Sequence, residues 1–252
     1  MGSLFEEMQR TLVLKDIRPS TRRSYLSSLK PFGHMDMETL TLSDLNAVLG
    51  TILNQNTRRK TVIALKSLVE HPAVNALRVP QATSRAYDLP DETTLRLALM
   101  TSTHEVRALL MAYAGLRCGE ACAVTSESLE GRWLLVDKQV DELTRMLVPV
   151  KTTTARVPLP LWLVPLVEVL GSPANPKAVR KSLARAGGRV GIKLNPHQLR
   201  HWYATTLVRQ GVSPHVVQRL MRHADIRVTF RVYAQVAQAD LTAAIDDLGT
   251  FA

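Results

Sequence analysis

Three short stretches of this sequence gather side chains able to hold a phosphate and act on it. The first is Gly115-Leu116-Arg117-Cys118-Gly119-Glu120. Its glycines let the backbone turn tightly and approach a ligand closely. Arg117 then falls near a helix N-terminus, where the dipole favours an anion, and Glu120, one turn on, can hold the guanidinium. The second is Asn195-Pro196-His197-Gln198-Leu199-Arg200-His201. Asn195 suits an N-cap and Pro196 the first helical position, so His197, Arg200 and His201 share one face. The third is Leu220-Met221-Arg222-His223, followed by Val228 to Tyr233. His223 ends a helix opened by Ser213-Pro214, and Tyr233 comes ten positions later.

Taken together these residues form an inventory for phosphoryl transfer without a metal. Two guanidiniums neutralise the non-bridging oxygens of a phosphodiester by bidentate hydrogen bonds. Two imidazoles hydrogen-bond to oxygens and assist proton movement. A tyrosine hydroxyl attacks phosphorus and becomes a covalent ester, and a lysine on a mobile turn protonates the leaving 5′ oxygen. Each stretch alone is common: an Arg–Glu helix pair and a core tyrosine are everyday features. Zinc is the rival chemistry for two His four residues apart. No Glu follows His197 as a metallopeptidase helix requires, and Arg200 lying between the two His would be repelled by a cation. No cofactor is expected.

The chain has 252 residues, a formal net charge of +10 and 46% hydrophobic residues. That content suits a folded protein and excludes a disordered basic tail as the main reading. The positive excess is shared between residues 1–86 and the remainder, so both regions can face a polyanion. Cys118 and Cys122 are too few for a disulfide scaffold and read as reduced thiols. The most apolar stretch, Leu159–Leu170, contains Pro160, Pro165 and Glu168 and is too short to span a bilayer. Glu6 and Glu7 interrupt any secretory signal, so a cytoplasmic protein is expected, with no membrane association.

The elements that must position these groups are mainly helical. Over residues 1–75 the pattern predicts short helices. One is capped by Ser20 or Thr21 and runs through Leu29 to Pro31-Phe32-Gly33; a second is capped by Ser43; a third is capped by Asn56 or Thr57. The third has an apolar face of Val62, Leu65 and Val69. Arg22, Arg23, Arg58, Arg59 and Lys60 sit near helix starts, and Lys66 lies on one side with Arg59, where they can meet phosphates. Residues 76–87 have no periodicity and read as a linker. Helices follow from Pro90, from Val106 and from Arg117. Trp133–Val136 is a strand. Met146–Val150 and Arg156–Leu159 look like a hairpin around Lys151-Thr152-Thr153-Thr154. Helices resume around Leu161 and from Lys177 to Val190, and the last third is helical.

The ordered set of Gly-Leu-Arg-x-Gly-Glu at 115–120, His-x-Leu-Arg-His at 197–201, and His223 before a late Tyr233 resembles the signature boxes of the tyrosine recombinase, or phage integrase, family. The match covers about residues 88–236 well, and the N-terminal region resembles the family's core-type DNA-binding domain more loosely. The resemblance implies a mainly α fold with a small antiparallel sheet. It divides the chain into a helical core-binding domain at 1–75, a linker at 76–87 and an α+β catalytic domain at 88–252. It implies that Arg117 and Arg200 clamp the scissile phosphate, that His197 assists proton transfer at the nucleophile, and that His223 hydrogen-bonds to the phosphate. Lys151 is then the general acid, with Lys138 as the nearby alternative, and Tyr233 the nucleophile. Glu120 and His201 support them. Two departures stand out: Arg222 occupies a position usually held by Gly, and Gln235 one often held by His.

What the resemblance implies for partners is double-stranded DNA carrying core-type attachment sites. It also implies a monomer in free solution, a homotetramer on paired sites, and accessory directionality or DNA-bending proteins, acting in a bacterial host cell. The short N-terminal region leaves no room for a separate arm-binding domain. Leu241, Ala244, Ile245 and Leu248 form an apolar stripe that Phe251 can extend; it docks on a neighbouring protomer or on its own domain. Two other readings share parts of this pattern. A non-catalytic DNA-binding protein could use residues 211–233 as a helix-turn-helix, and a type IB topoisomerase shares the chemistry.

Overall fold

The computed structural model describes residues 3–83 and 87–246, and of 237–246 the backbone alone. The chain divides into two units, Met1–Ala86 and Tyr87–Ala252. The fold is mainly helical, with two small antiparallel sheets in the second unit. The stripe expected at Leu241, Ala244, Ile245 and Leu248, with Phe251, lies outside the described side chains. Of the expected linker, residues 84–86 also lie outside the description, and 77–83 form neither helix nor strand.

The first unit contains α1 (Leu4–Leu14), α2 (Pro19–Leu29), α3 (Leu42–Thr51), α4 (Gln55–Leu68) and the one-turn α5 (Pro72–Asn75). Three of its helix starts differ from expectation. α2 begins at Pro19, with Ser20 and Thr21 inside the helix, because the fixed φ of proline already suits a first turn. α3 is capped by Thr41, not Ser43: Thr41 and Asp44 satisfy each other's backbone N–H, at 3.1 and 3.2 Å. Ser43 has Asn46 three residues on and cannot form that acidic pair. α4 is capped by Asn54, which accepts from the Thr57 N–H at 3.0 Å, so Asn56 and Thr57 are helical. The unit's core contains Leu4, Met8, Phe32, Leu45, Val62 and Leu65, all essentially inaccessible. Each such burial contributes about 1.5–3 kcal/mol.

The second unit opens with α6 (Glu92–Met100), α7 (Glu105–Tyr113) and α8 (Cys118–Ala123). Five short strands follow: β1 (Leu129–Glu130), β2 (Trp133–Val136), β3 (Lys138–Val140), β4 (Leu147–Pro149) and β5 (Ala155–Pro158). Then come α9 (Val164–Glu168), α10 (Pro176–Arg189), α11 (Pro196–Arg209), α12 (Pro214–Met221) and α13 (Ile226–Asp246). α7 is the central helix, with Ala108, Leu110, Met111 and Ala112 fully buried. It also carries a buried Arg107, which donates to the carbonyls of Ala121, Val124 and Ser172. Those of Ala121 and Val124 belong to the end of α8, where no intrahelical donor reaches. A helix of only six residues is thereby anchored at its C-terminus.

The expected hairpin around Lys151 does not form. β4 pairs with β3, matching Lys138 to Pro149 and Val140 to Leu147. β5 pairs with β2, matching Trp133 to Pro158 and Val136 to Ala155. The tight turn lies earlier, where Asp141 Oδ1 accepts from the N–H groups of Leu143 and Thr144, each at 2.9 Å, and Arg145 takes a positive φ of 60°. That turn makes β3 and β4 the neighbours. Residues 151–154 are instead the link that carries the chain from this ribbon to the β1-β2-β5 sheet.

Candidate active site

Gly115 is the pivot. Its φ of +62° turns the chain out of α7 and into the start of α8, and a Cβ there would sit 2.7 Å from the Tyr203 ring. Both facts require glycine. The turn leaves its carbonyl facing two cations. Arg200, on α11, donates one terminal nitrogen to the Gly115 carbonyl and the other to the Met221 carbonyl. Arg222 donates to the same Gly115 carbonyl at 3.2 Å. Gly119, the second residue of α8, would carry a Cβ 2.9 Å from the Val140 carbonyl, so its lack of a side chain lets α8 lie against β3.

Arg117 is the N-cap of α8. Its backbone N–H donates to Glu120 Oε2 and its Nη1 to Glu120 Oε1, both at 2.8 Å. Its Nη2 reaches the Arg222 carbonyl at 3.3 Å, and Nη1 also approaches Thr152 Oγ1 at 3.4 Å. The Arg117 side chain keeps 32% of its surface exposed, whereas that of Glu120 keeps 1%. Glu120 therefore fixes one flank of a guanidinium whose other flank remains open. Burial alone would raise the Glu120 carboxyl; Arg222 and then Arg117 outweigh it and hold it below the usual carboxylate range. Burial, followed by Arg117 and Arg222, pulls Arg200 down to about 9.

Arg222 settles the first departure from the family pattern. It closes α12 in the left-handed region, with φ 52° and ψ 45°, a conformation that costs a non-glycine residue about 1–3 kcal/mol. Its side chain is 5% exposed and its Nη2 lies 2.6 Å from Glu120 Oε2.

The histidines lie around these guanidiniums. His223 follows Arg222, and its Nδ1 is 2.9 Å from Thr229 Oγ1. Burial first, then Arg200, Arg117, Arg222 and His197, push it down to about 4, so the ring is neutral at pH 7. His197 is lowered by burial and by Arg200. His197 is exposed, and its ring meets that of Tyr87 edge-on, with centroids 5.6 Å apart. Tyr87 also lies 5.0 Å from the His201 ring. Burial and His197 lower His201, and Gln235, the second departure, opposes them by hydrogen bonding. A cavity of about 570 Å³ is lined by Arg117, Arg180, Asn195, His197 and Arg200 among others.

The structure thus brings together Arg117, Glu120, Arg200, His197 and His223, and His201 shares the Tyr87 ring with His197. Tyr233 is placed differently. Its hydroxyl donates to the Val212 carbonyl, its ring packs with Ala204, Val208 and Val217, and burial raises its pKa. Lys151 is exposed on the link beside Thr152, the residue that Arg117 approaches. Lys138 points elsewhere, to Asp137 at 3.7 Å. In the first unit, Arg22, Arg58, Arg59 and Lys66 donate to the carbonyls of Leu12, Ile52, Pro80 and Asn75. Those four brace their own fold, while Arg23 and Lys60 are exposed. The contacts of Arg222, Thr152, Thr229 and Tyr87 were missed in the sequence, and only the Gly-to-Arg departure signalled one of them. Among the described residues no group of three or more His, Cys, Asp or Glu is placed to hold a metal ion, and no helix is long and apolar enough to cross a membrane.

The model of the phage integrase family matches residues 81–240. This chain belongs to that family. Among curated relatives, the tyrosine recombinase XerA of Pyrococcus furiosus is 36% identical over 72 residues, 29% of this chain and 25% of that protein. XerA of Pyrococcus horikoshii is 28% identical over 169 residues, 62% of this chain and 59% of that protein. XerC of Methylobacterium nodulans is 28% identical over 236 residues, 88% of this chain and 68% of that protein. The matched stretches thus span well under two thirds of the two Pyrococcus proteins. The fold is shared with the integrase of transposon Tn1549, in complex with transposon right end DNA, at a TM-score of 0.75 and 15% identity, covering 96% of this chain and 99% of that one. A lambda integrase dimer (residues 75–356) bound to a core site gives a TM-score of 0.70 at 17% identity, covering 91% and 94%.

Proposed function

We propose that this chain is a site-specific DNA recombinase that cleaves and rejoins DNA through a 3′-phosphotyrosyl bond at Tyr233, in phage integration or excision. The observation that carries this is the pair Arg117 and Arg200, braced from behind by Glu120 and by the Gly115 and Met221 carbonyls, lining one cavity with His197. The two guanidiniums take the non-bridging oxygens and stabilise the charge that builds there. If the Thr229 hydroxyl donates to His223 Nδ1, the neutral ring keeps an Nε2–H to donate to a phosphate oxygen. The Tyr233 oxygen leaves Val212, gives its proton to His197 and bonds to phosphorus. The P–O5′ bond breaks as the Lys151 ammonium protonates the leaving oxygen. One phosphoester replaces another, so no energy source or cofactor enters.

The same reading assigns the first unit to core-type sites on double-stranded DNA, where Arg23 and Lys60 are the exposed candidates for phosphate contact. It assigns the catalytic role to the second unit, with a monomer in solution, a homotetramer on paired sites, accessory DNA-bending or directionality proteins, and work in the cytoplasm of a bacterial host. Supercoiled plasmids carrying candidate sites test it. The expected products are protein-linked DNA and recombinants, both lost in Tyr233→Phe while DNA binding remains. Relaxation without recombinants would favour a type IB topoisomerase, and a normal covalent yield from Tyr233→Phe would exclude Tyr233 as nucleophile.

A further inference from the structure

We infer that Arg222 is a positioning residue for Arg117, acting through the carboxylate of Glu120. The inference rests on the recombinase reading of the same site.

The backbone at 222 has a reason to be left-handed. The Arg222 N–H returns to the Arg219 carbonyl and the His223 N–H to the Gln218 carbonyl, each at 3.1 Å, which closes α12 and points His223 back toward the guanidiniums. Glycine fills such a position without strain. Here an arginine fills it, and its side chain lies inside the site, 5% exposed. The strain is offset only if that side chain gains something where it lands.

It lands on Glu120. Oε1 of that carboxylate takes Arg117 Nη1, and Oε2 takes both the Arg117 backbone N–H and Arg222 Nη2. A buried carboxylate facing Arg117 alone would draw both terminal nitrogens into a fork, the preferred geometry of that pair. Arg222 occupies Oε2 and prevents it. The Arg222 carbonyl then offers Arg117 Nη2 a long contact of 3.3 Å, weaker than the bonds on the Nη1 side. Nη1 is committed to the protein, and Nη2 is oriented yet easily released to a phosphate oxygen. The charges agree: Arg117, Arg200 and Arg222 surround one carboxylate, so the site has an unmatched positive excess before an anion arrives.

The role is separable from simple folding by a rate measurement and a double-mutant cycle. Formation of covalent protein–DNA complex is followed in a single turnover at saturating DNA, with affinity measured separately on Tyr233→Phe backgrounds. Arg222→Gly relieves the backbone and removes the cation. It should slow covalent complex formation about tenfold to a hundredfold, the scale of losing the partner of a catalytic group, while affinity changes less than about threefold. Arg222→Asn, which also tolerates the left-handed backbone, should behave the same and guards against a folding artefact. Arg222→Lys should recover part of the rate, and Arg222→Met none. In a Glu120→Gln background, Arg222→Gly should add little, because no charged carboxylate remains to be shared. Wild-type rates in Arg222→Gly would overturn the inference, as would effects that multiply in the double variant, which would mean that Arg222 acts apart from Glu120. If the wild-type protein itself forms no covalent complex on any site, the recombinase reading falls and takes this inference with it.

Discussion

Arg200→Lys keeps a positive residue in the clamp, yet the surroundings of Arg200 predict that it fails for two reasons. The first is geometric. Arg200 is 5% exposed and satisfies two carbonyls, on Gly115 and Met221, with two nitrogens. One ammonium cannot bridge both and also present a fork to phosphate. The second is electrostatic. Burial and two neighbouring guanidiniums bring Arg200 from 12.5 to about 9, so it stays charged at neutral pH. A lysine starts near 10.4, and the same burial and neighbouring guanidiniums would lower it as well. A lysine held there would give up its proton at a lower pH than an exposed one. Loss of one donor to the developing charge costs a hundredfold to a thousandfold, roughly 3–4 kcal/mol. The assay is covalent complex yield in a single turnover between pH 6 and 10. Wild-type cleavage should keep its rate to higher pH than the lysine variant, because a guanidinium holds its proton more tightly than an ammonium. Arg200→Lys should be slow throughout and lose rate at a lower pH than wild type, regaining it as pH falls and the ammonium re-forms. A lysine variant that cleaves like wild type at pH 8, or whose rate ignores pH over this range, would refute both the fork and the crowding argument.

Other consequences can be checked on the same material. Lys151→Ala should cleave DNA with a bridging 5′ phosphorothiolate far better than ordinary DNA, because that leaving group needs no proton; equal loss on both would move the acid elsewhere. His223 has a folded pKa near 4 against an unfolded value near 6.5, so the unfolded chain binds the extra proton between them. Stability should therefore decline as pH falls from about 6.5 to 4. His223→Gln should flatten that part of the melting-temperature profile; an unchanged slope would mean that His223 is not held neutral. Gly115→Ala combines a positive φ with a 2.7 Å clash against Tyr203, so it should lose cleavage and at least about 1–3 kcal/mol of stability in thermal unfolding. Retention of both would show that the pivot can relax.

What was legible in the sequence was local. Asn195-Pro196 and Ser213-Pro214 marked their helices because cap and proline act within one turn. The grouping of Arg117, Arg200, His197 and His223 was legible as an ordered set of boxes. Cap choice failed at Ser43 because another polar residue two positions earlier had the better acidic partner. Strand pairing failed around Lys151 because register is decided across the sheet; Asp141, which makes the actual turn, reads as an ordinary acid in a loop. The N-terminal arginines showed their charge but not the carbonyls they brace. The role of Arg222 was the least legible: its partner Glu120 lies 102 residues away, and no local rule connects a helix end to a carboxylate so distant.

The Gly115 carbonyl has a consequence for how the protein is made. Its two guanidinium donors come from 85 and 107 residues further along the chain. On the ribosome, Gly115 and Arg117 emerge long before Arg200, and Arg222 later still. Until α12 is complete, Arg200 lacks the Met221 carbonyl that orients its other nitrogen, and Glu120 lacks its second cation. A nascent chain, or one cut short within α11, would leave Arg200 and Glu120 without these partners. If Arg117 and Arg200 clamp a phosphate as proposed, that clamp is a product of finished synthesis.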